Sequence, residues 1–84
     1  MKTYTLKIVT PKKSLTEENV IKTIVRTTSG DIGIMADHVP YVSMLKQGEF
    51  RVIYSDNTEK RMTCDGGFIK VGKDQTVILA QSVS

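Results

Sequence analysis

Polar and apolar residues alternate with a period of two along most of this chain, the pattern of strands that bury one face. In TYTLKIV (residues 3–9), Tyr4, Leu6 and Ile8 point one way, and Thr3, Thr5 and Lys7 point the other. Pro11 ends this run, because proline cannot donate a ladder hydrogen bond. In EFRVIYS, Phe50, Val52 and Tyr54 share one face. Asp56, Asn57 and Thr58 then predict a turn, since Asp and Asn tolerate left-handed backbone and bond their own neighbours. The chain returns through EKRMTC, where Lys60, Met62 and Cys64 alternate with Arg61 and Thr63, so a hairpin is predicted. GFIKV, a turn at residues 72–75 and TVILA predict a second hairpin. YVSMLK reads as a strand that Gln47 and Gly48 turn into the one at Phe50.

SLTEENVIKTIVRTT carries two signals. Ser14 and Glu17 stand at capping-box spacing, Thr16 is a good N-cap, and Val20, Ile21, Ile24 and Val25 would line one face of a helix. From residue 20 to 28, however, every residue except Lys22 and Arg26 is β-branched. Such stiff side chains favour a pleated surface, so a strand is predicted from about Asn19 to Thr28. The expected fold is all-β: a small antiparallel β-sandwich or flattened barrel of about eight to ten short strands in a single domain spanning residues 1–84.

GDIGIMADHVP (residues 30–40) stands apart. It holds two glycines, a proline and His38, the only histidine, yet also Ile32, Ile34 and Met35. Its punctuation predicts a turn-rich loop whose apolar residues either plug the core or face outward as a contact surface.

Composition narrows the function. A chain of 84 residues buries a thin core, and its charged fraction of 25% is ordinary for a globular domain. One cysteine, Cys64, allows no internal disulfide, which fits a reducing compartment. No apolar run approaches the ~20 residues that span a bilayer, and the N-terminus lacks the apolar stretch of a signal peptide. The net charge of +3 is scattered, with small clusters at Lys12-Lys13 and Lys60-Arg61. Nucleic-acid binding wants a concentrated basic face, so a small nucleic-acid-binding β-barrel is the second reading.

Catalytic chemistry is thinly represented. A nucleophilic pair would need Cys64 beside His38, with Asp37 or Asp65 to orient the imidazole, and no spacing brings these together. A zinc site would lack at least two nitrogen or sulfur ligands. Gly66-Gly67 lacks the Lys and Ser/Thr of a P-loop, and fits a bulge or close backbone approach instead. No catalytic, cofactor or metal residue is assigned.

Four motifs in order then carry a family resemblance: LKIVTP, GDIGIMADHVP, LKQGEFRV, and DGGFIKV followed by VILA. Together they resemble the N-terminal domain of the epsilon subunit of the F-type ATP synthase, from Leu6 to Ala80. The chain departs from that pattern in three places. Ala36-Asp37 stands where the family usually has Pro-Gly, Gln47 where it has Pro, and Lys70 where Glu is common. The family's C-terminal helical hairpin, which inhibits ATP hydrolysis and in some members binds ATP, is not in this sequence, so no ATP binding by these residues is expected.

The resemblance implies a β-sandwich at the foot of the rotating stalk. It would be noncatalytic, packed on the gamma subunit and touching the ring of c subunits, and would couple ion translocation to ATP synthesis. It would sit peripherally at the cytoplasmic face of the cell membrane, touching the membrane only through the complex and binding no nucleic acid. The resemblance matches the ring-facing loop to Gly30, Asp31, Ile32, Met35, His38, Val39, Pro40 and Val42, with Asp31 and His38 as its polar contacts.

Overall fold

The computed structural model describes residues 2–37 and 39–84. They form eight strands and no helix: β1 (Tyr4–Val9), β2 (Ser14–Thr27), β3 (Gly30–Met35), β4 (Tyr41–Leu45), β5 (Gly48–Tyr54), β6 (Glu59–Cys64), β7 (Gly67–Val71) and β8 (Gln75–Leu79). Both predicted hairpins are present, β5 with β6 and β7 with β8. The β5–β6 turn closes through Asp56, whose Oδ1 accepts the Thr58 backbone N–H at 3.0 Å and its hydroxyl at 2.6 Å. Asn57 takes the left-handed position there, at φ 67°.

The long strand β2 organises the sandwich. It begins at Ser14, earlier than the predicted Asn19, because the Thr10–Lys13 turn sends it straight back along β1. Asn19 adopts a left-handed backbone at φ 58°, and the register with both β1 and β5 slips beside it. Val20 and Ile21 are consequently both buried, breaking the alternation. The residues before the slip pair with β1, and those after it pair with β3 on one edge and β5 on the other. One layer is therefore β4-β7-β8-β1 with the start of β2, and the other is β3, the rest of β2, β5 and β6.

Three further expectations change. Residues 30–35 are a strand rather than a loop: β3 pairs with β2 from Gly30 to Met35, because Ile32 and Ile34 alternate inward with Asp31, Gly33 and Met35 outward. Gln47 and Gly48 do not fold β4 back onto β5. Instead β4 pairs with β7, touches β2 at Thr27↔Leu45, and the chain crosses there to the other layer. The β1–β8 pair is parallel, which closes the first layer within an otherwise antiparallel framework.

The inward phases meet in one cluster. Leu6, Ile8, Val20, Ile34, Val52, Ile69 and Ile78 are wholly buried. Each such side chain stabilises the fold by about 1.5–3 kcal/mol relative to exposure. Phe50, Met62 and Cys64 fill the β5–β6 side as the alternation predicts, and Tyr54 packs at its margin. Buried side-chain polar atoms are satisfied among the described residues. Thr27, for example, donates through its hydroxyl to Gly30 O at 2.7 Å.

Candidate docking surface

The segment that the family resemblance matches to a ring-facing loop falls on a strand, a turn and the start of another strand. Asp31 and Met35 point outward from the two ends of β3, and a strand rise of about 3.3 Å per residue sets them roughly 13 Å apart. Ile32 turns inward and packs against the core. Val39 and Val42 are exposed, and Gly30 and Pro40 are exposed as well. Asp31 and the turn after β3 thus lie at opposite ends of one strand, rather than together on a single turn. His38 lies outside the described residues.

Asp31 faces Arg26 across the β2–β3 pair, Nε to Oδ1 at 3.9 Å, with both side chains mostly in solvent. At the other end of β3, Asp37 takes φ 64° where the resembled family usually has glycine. Lys2 holds its carboxylate, Nζ lying 2.8 Å from Oδ2 and 2.9 Å from Oδ1. That hydrogen bond, aided by the carboxylate's charge, raises the Lys2 pKa.

Cys64 and Asp65, weighed in the sequence for a nucleophilic pair, sit in structural contacts. Cys64 is buried, its Sγ 3.9 Å from Lys46 O. The neighbouring Asp65 accepts the Ser82 backbone N–H at 3.1 Å. Among the described residues no cluster of three His, Cys, Asp or Glu could hold a metal ion. Gly66 and Gly67 are structural: both have positive φ, and a Cβ on Gly67 would come within 2.0 Å of Leu79 O. The cluster at Lys60-Arg61 is neutralised locally, Lys60 by Glu17 and Arg61 by Glu49 and Glu59. Tyr4 and Phe50 are buried, so they offer no platform for stacking bases.

The most distinctive surface is the outer face of β4-β7-β8-β1. Met44 pairs with Phe68, Phe68 with Leu79, and Leu79 with Val9. These outward side chains make one apolar row across four strands, with Met44 54%, Phe68 49% and Leu79 47% exposed. Val42 and Val77 continue it in the next register. Beside the row lies a groove of about 410 Å³ bordered by Val9, Pro11, Gly67, Phe68, Leu79 and Ala80. Of these residues the sequence singles out Val42 alone as a contact, and that as part of the loop matched to the ring. Their signal was apolar side chains on both phases of GFIKV and TVILA, the mark of a strand covered on both faces.

Residues 3–84 match the family described as the β-sandwich domain of the ATP synthase delta/epsilon chain. The chain is 42% identical over 80 residues to the sodium-ion-specific ATP synthase epsilon chain of Propionigenium modestum, covering 95% of this chain and 58% of that one. It is 43% identical over 82 residues to the epsilon chain of Bacillus pumilus, covering 98% and 62%. It thus spans about three fifths of the length of these relatives. In structure it superimposes on a chain of the Euglena gracilis mitochondrial ATP synthase OSCP/F1/c-ring assembly with a TM-score of 0.91 at 22% identity, covering 98% of this chain and 52% of that one. A chain of the Tetrahymena thermophila ATP synthase central stalk and c ring gives 0.84 at 13% identity, covering 99% and 66%. The motif order, the sandwich and these likenesses agree: the chain belongs to the ATP synthase delta/epsilon β-sandwich family.

Proposed function

We propose that this chain is a noncatalytic central-stalk subunit of an F-type ATP synthase. It docks on the gamma subunit through the outer face of β4-β7-β8-β1 and on the c ring through residues 30–42. It thereby helps couple ion translocation to ATP synthesis at the cytoplasmic face of the membrane, reaching the membrane only through the complex. The observation that carries the reading is the row Met44-Phe68-Leu79-Val9: aligned apolar side chains left in solvent on one face of an otherwise well-sorted sandwich. Contiguous exposed apolar surface of this kind marks a contact with another protein.

The charged outer side of β5 and β6, laced with its own ion pairs, suits solvent. Ring contact would run along the outer side of β3, through Asp31 and Met35, and on to Val39 and Pro40 in the turn beyond. Torque transmission favours a rigid body, and a sandwich cross-linked by ladders on every strand supplies one. The test is binding to purified cognate gamma subunit, followed by restoration of coupled ATP synthesis to enzyme depleted of its epsilon subunit. Tight binding with recovered coupling supports the proposal, and no complex at micromolar concentration contradicts it.

A further inference from the structure

The two outer faces of the sandwich differ in charge, and the difference specifies the chemistry of the partner. β3, β5 and β6 carry Asp31, Glu49, Arg51, Glu59, Lys60 and Arg61. These pair within the chain: Arg51 with Glu59 at 3.4 Å, Arg61 with Glu59 at 3.0 Å and Glu49 at 3.3 Å, and Lys60 with Glu17 at 3.5 Å. β1, β4, β7 and β8 contain no Asp or Glu, and the acids of this layer, Glu17 and Glu18, stand at its β2 edge, where Glu17 is engaged by Lys60. The only charged residues of those four strands are Lys7 and Lys70.

Both lysines point outward, in a row parallel to the apolar one. Val42 pairs with Lys70, Lys70 with Val77, and Val77 with Lys7. Lys70 therefore stands in the middle of the face, one register step from Phe68 rather than at a distant rim. Among the described residues neither lysine has a carboxylate within ion-pair distance. The one carboxylate bordering the groove, Asp65, is engaged by the Ser82 N–H. A partner that covers the apolar row must also cover Lys70. Burying an unpaired ammonium is strongly unfavourable, whereas pairing it offsets the lost hydration.

We infer that the partner surface on this face is an apolar strip bearing carboxylates opposite Lys70 and Lys7, so that these two lysines select an acidic partner. The inference rests on the proposed docking of this face on the gamma subunit. Charges so placed act on encounter rate, register and the rejection of wrong partners, and their effect is screened by salt.

The test measures affinity for the purified cognate gamma subunit from about 50 to about 300 mM salt, a range over which exposed pairs are progressively screened. The unaltered chain weakens as salt rises. Lys70→Gln and Lys7→Gln each bind about two- to fivefold more weakly at low salt, and the double variant flattens the salt dependence. Lys70→Glu is worse than Lys70→Gln, and Lys70→Arg is close to the unaltered chain. Thermal melts show that the variants remain folded. A double Gln variant with unchanged affinity and salt response overturns the charge inference while leaving the docking intact. Failure of the unaltered chain to bind gamma removes the docking itself. Lysine-dependent capture by phosphatidylglycerol vesicles, with gamma binding indifferent to both lysines, assigns the charges to lipid headgroups and also overturns the inference.

Discussion

Tyr4 of β1 and Thr23 of β2 meet inside the sandwich with their hydroxyl oxygens 2.5 Å apart, and the Tyr4 hydroxyl donates to Ile34 O at 2.8 Å. One phenol thus ties β1, β2 and β3 together where the core is dry. Tyr4→Phe leaves the Thr23 hydroxyl and the Ile34 carbonyl short of a partner, at a cost of about 1–3 kcal/mol in urea unfolding. Thr23→Val has a cost of the same order. The double variant loses less than the two single losses combined, because both act on one bond.

The same phenol predicts an alkaline limb in stability. Burial raises the Tyr4 pKa from near 10 to about 12, opposed by the Thr23 hydrogen bond. The unfolded chain therefore ionises first as pH rises. The stabilisation is fully present below pH 10 and is lost as pH climbs towards 12. Tyr54 shifts in the same direction, by burial and then by its bond to Glu17. Denaturant midpoints measured across that range fall for the unaltered chain and fall less steeply for Tyr4→Phe.

Two glycines with positive φ should respond differently to alanine. At Gly48 a Cβ meets nothing within 4 Å, so Gly48→Ala carries only backbone strain, about 1–2 kcal/mol. At Gly67 the same atom would strike Leu79 O on the neighbouring strand. Gly67→Ala is expected to lose more than about 3 kcal/mol, or to fail to fold. Paired chemical denaturation of the two variants checks the contrast.

Asp31 tests the proposed ring contact separately from the fold. Its ion pair with Arg26 is exposed, so Asp31→Ala changes stability by less than about 0.5 kcal/mol. Asp31→Ala combined with His38→Ala lowers coupled ATP synthesis in reconstituted enzyme while binding to gamma persists. Unchanged coupling would return the segment to a purely structural role.

Much of the fold was legible because alternation is a local signal. Tyr4, Leu6 and Ile8 declared the inner face of β1, and Phe50 and Val52 that of β5. The Asp56-Asn57-Thr58 turn was readable because its chemistry is contained in three residues. What escaped was set by distant contacts. β3 looked like a loop because Gly33 interrupts it, yet the Lys22 side chain lies over that glycine, with Cε only 2.9 Å from where a Cβ would stand. The early start of β2 depends on its pairing with β1, which overrode the capping-box signal at Ser14. The row Met44-Phe68-Leu79-Val9 exists only once four separate strands fall into register, so the apolar residues on both phases of GFIKV and TVILA marked a covered face without locating it.

The most direct measurement is the affinity of the chain for purified cognate gamma subunit, by titration calorimetry, with Phe68→Ser and Leu79→Ser beside the unaltered protein. Both side chains are about half exposed, so the folded chain should tolerate the changes within about 0.5 kcal/mol. The account predicts a loss of at least about tenfold in affinity for each variant, with a smaller negative heat-capacity change on binding. Variants that bind gamma as tightly as the unaltered chain would contradict the assignment of this face.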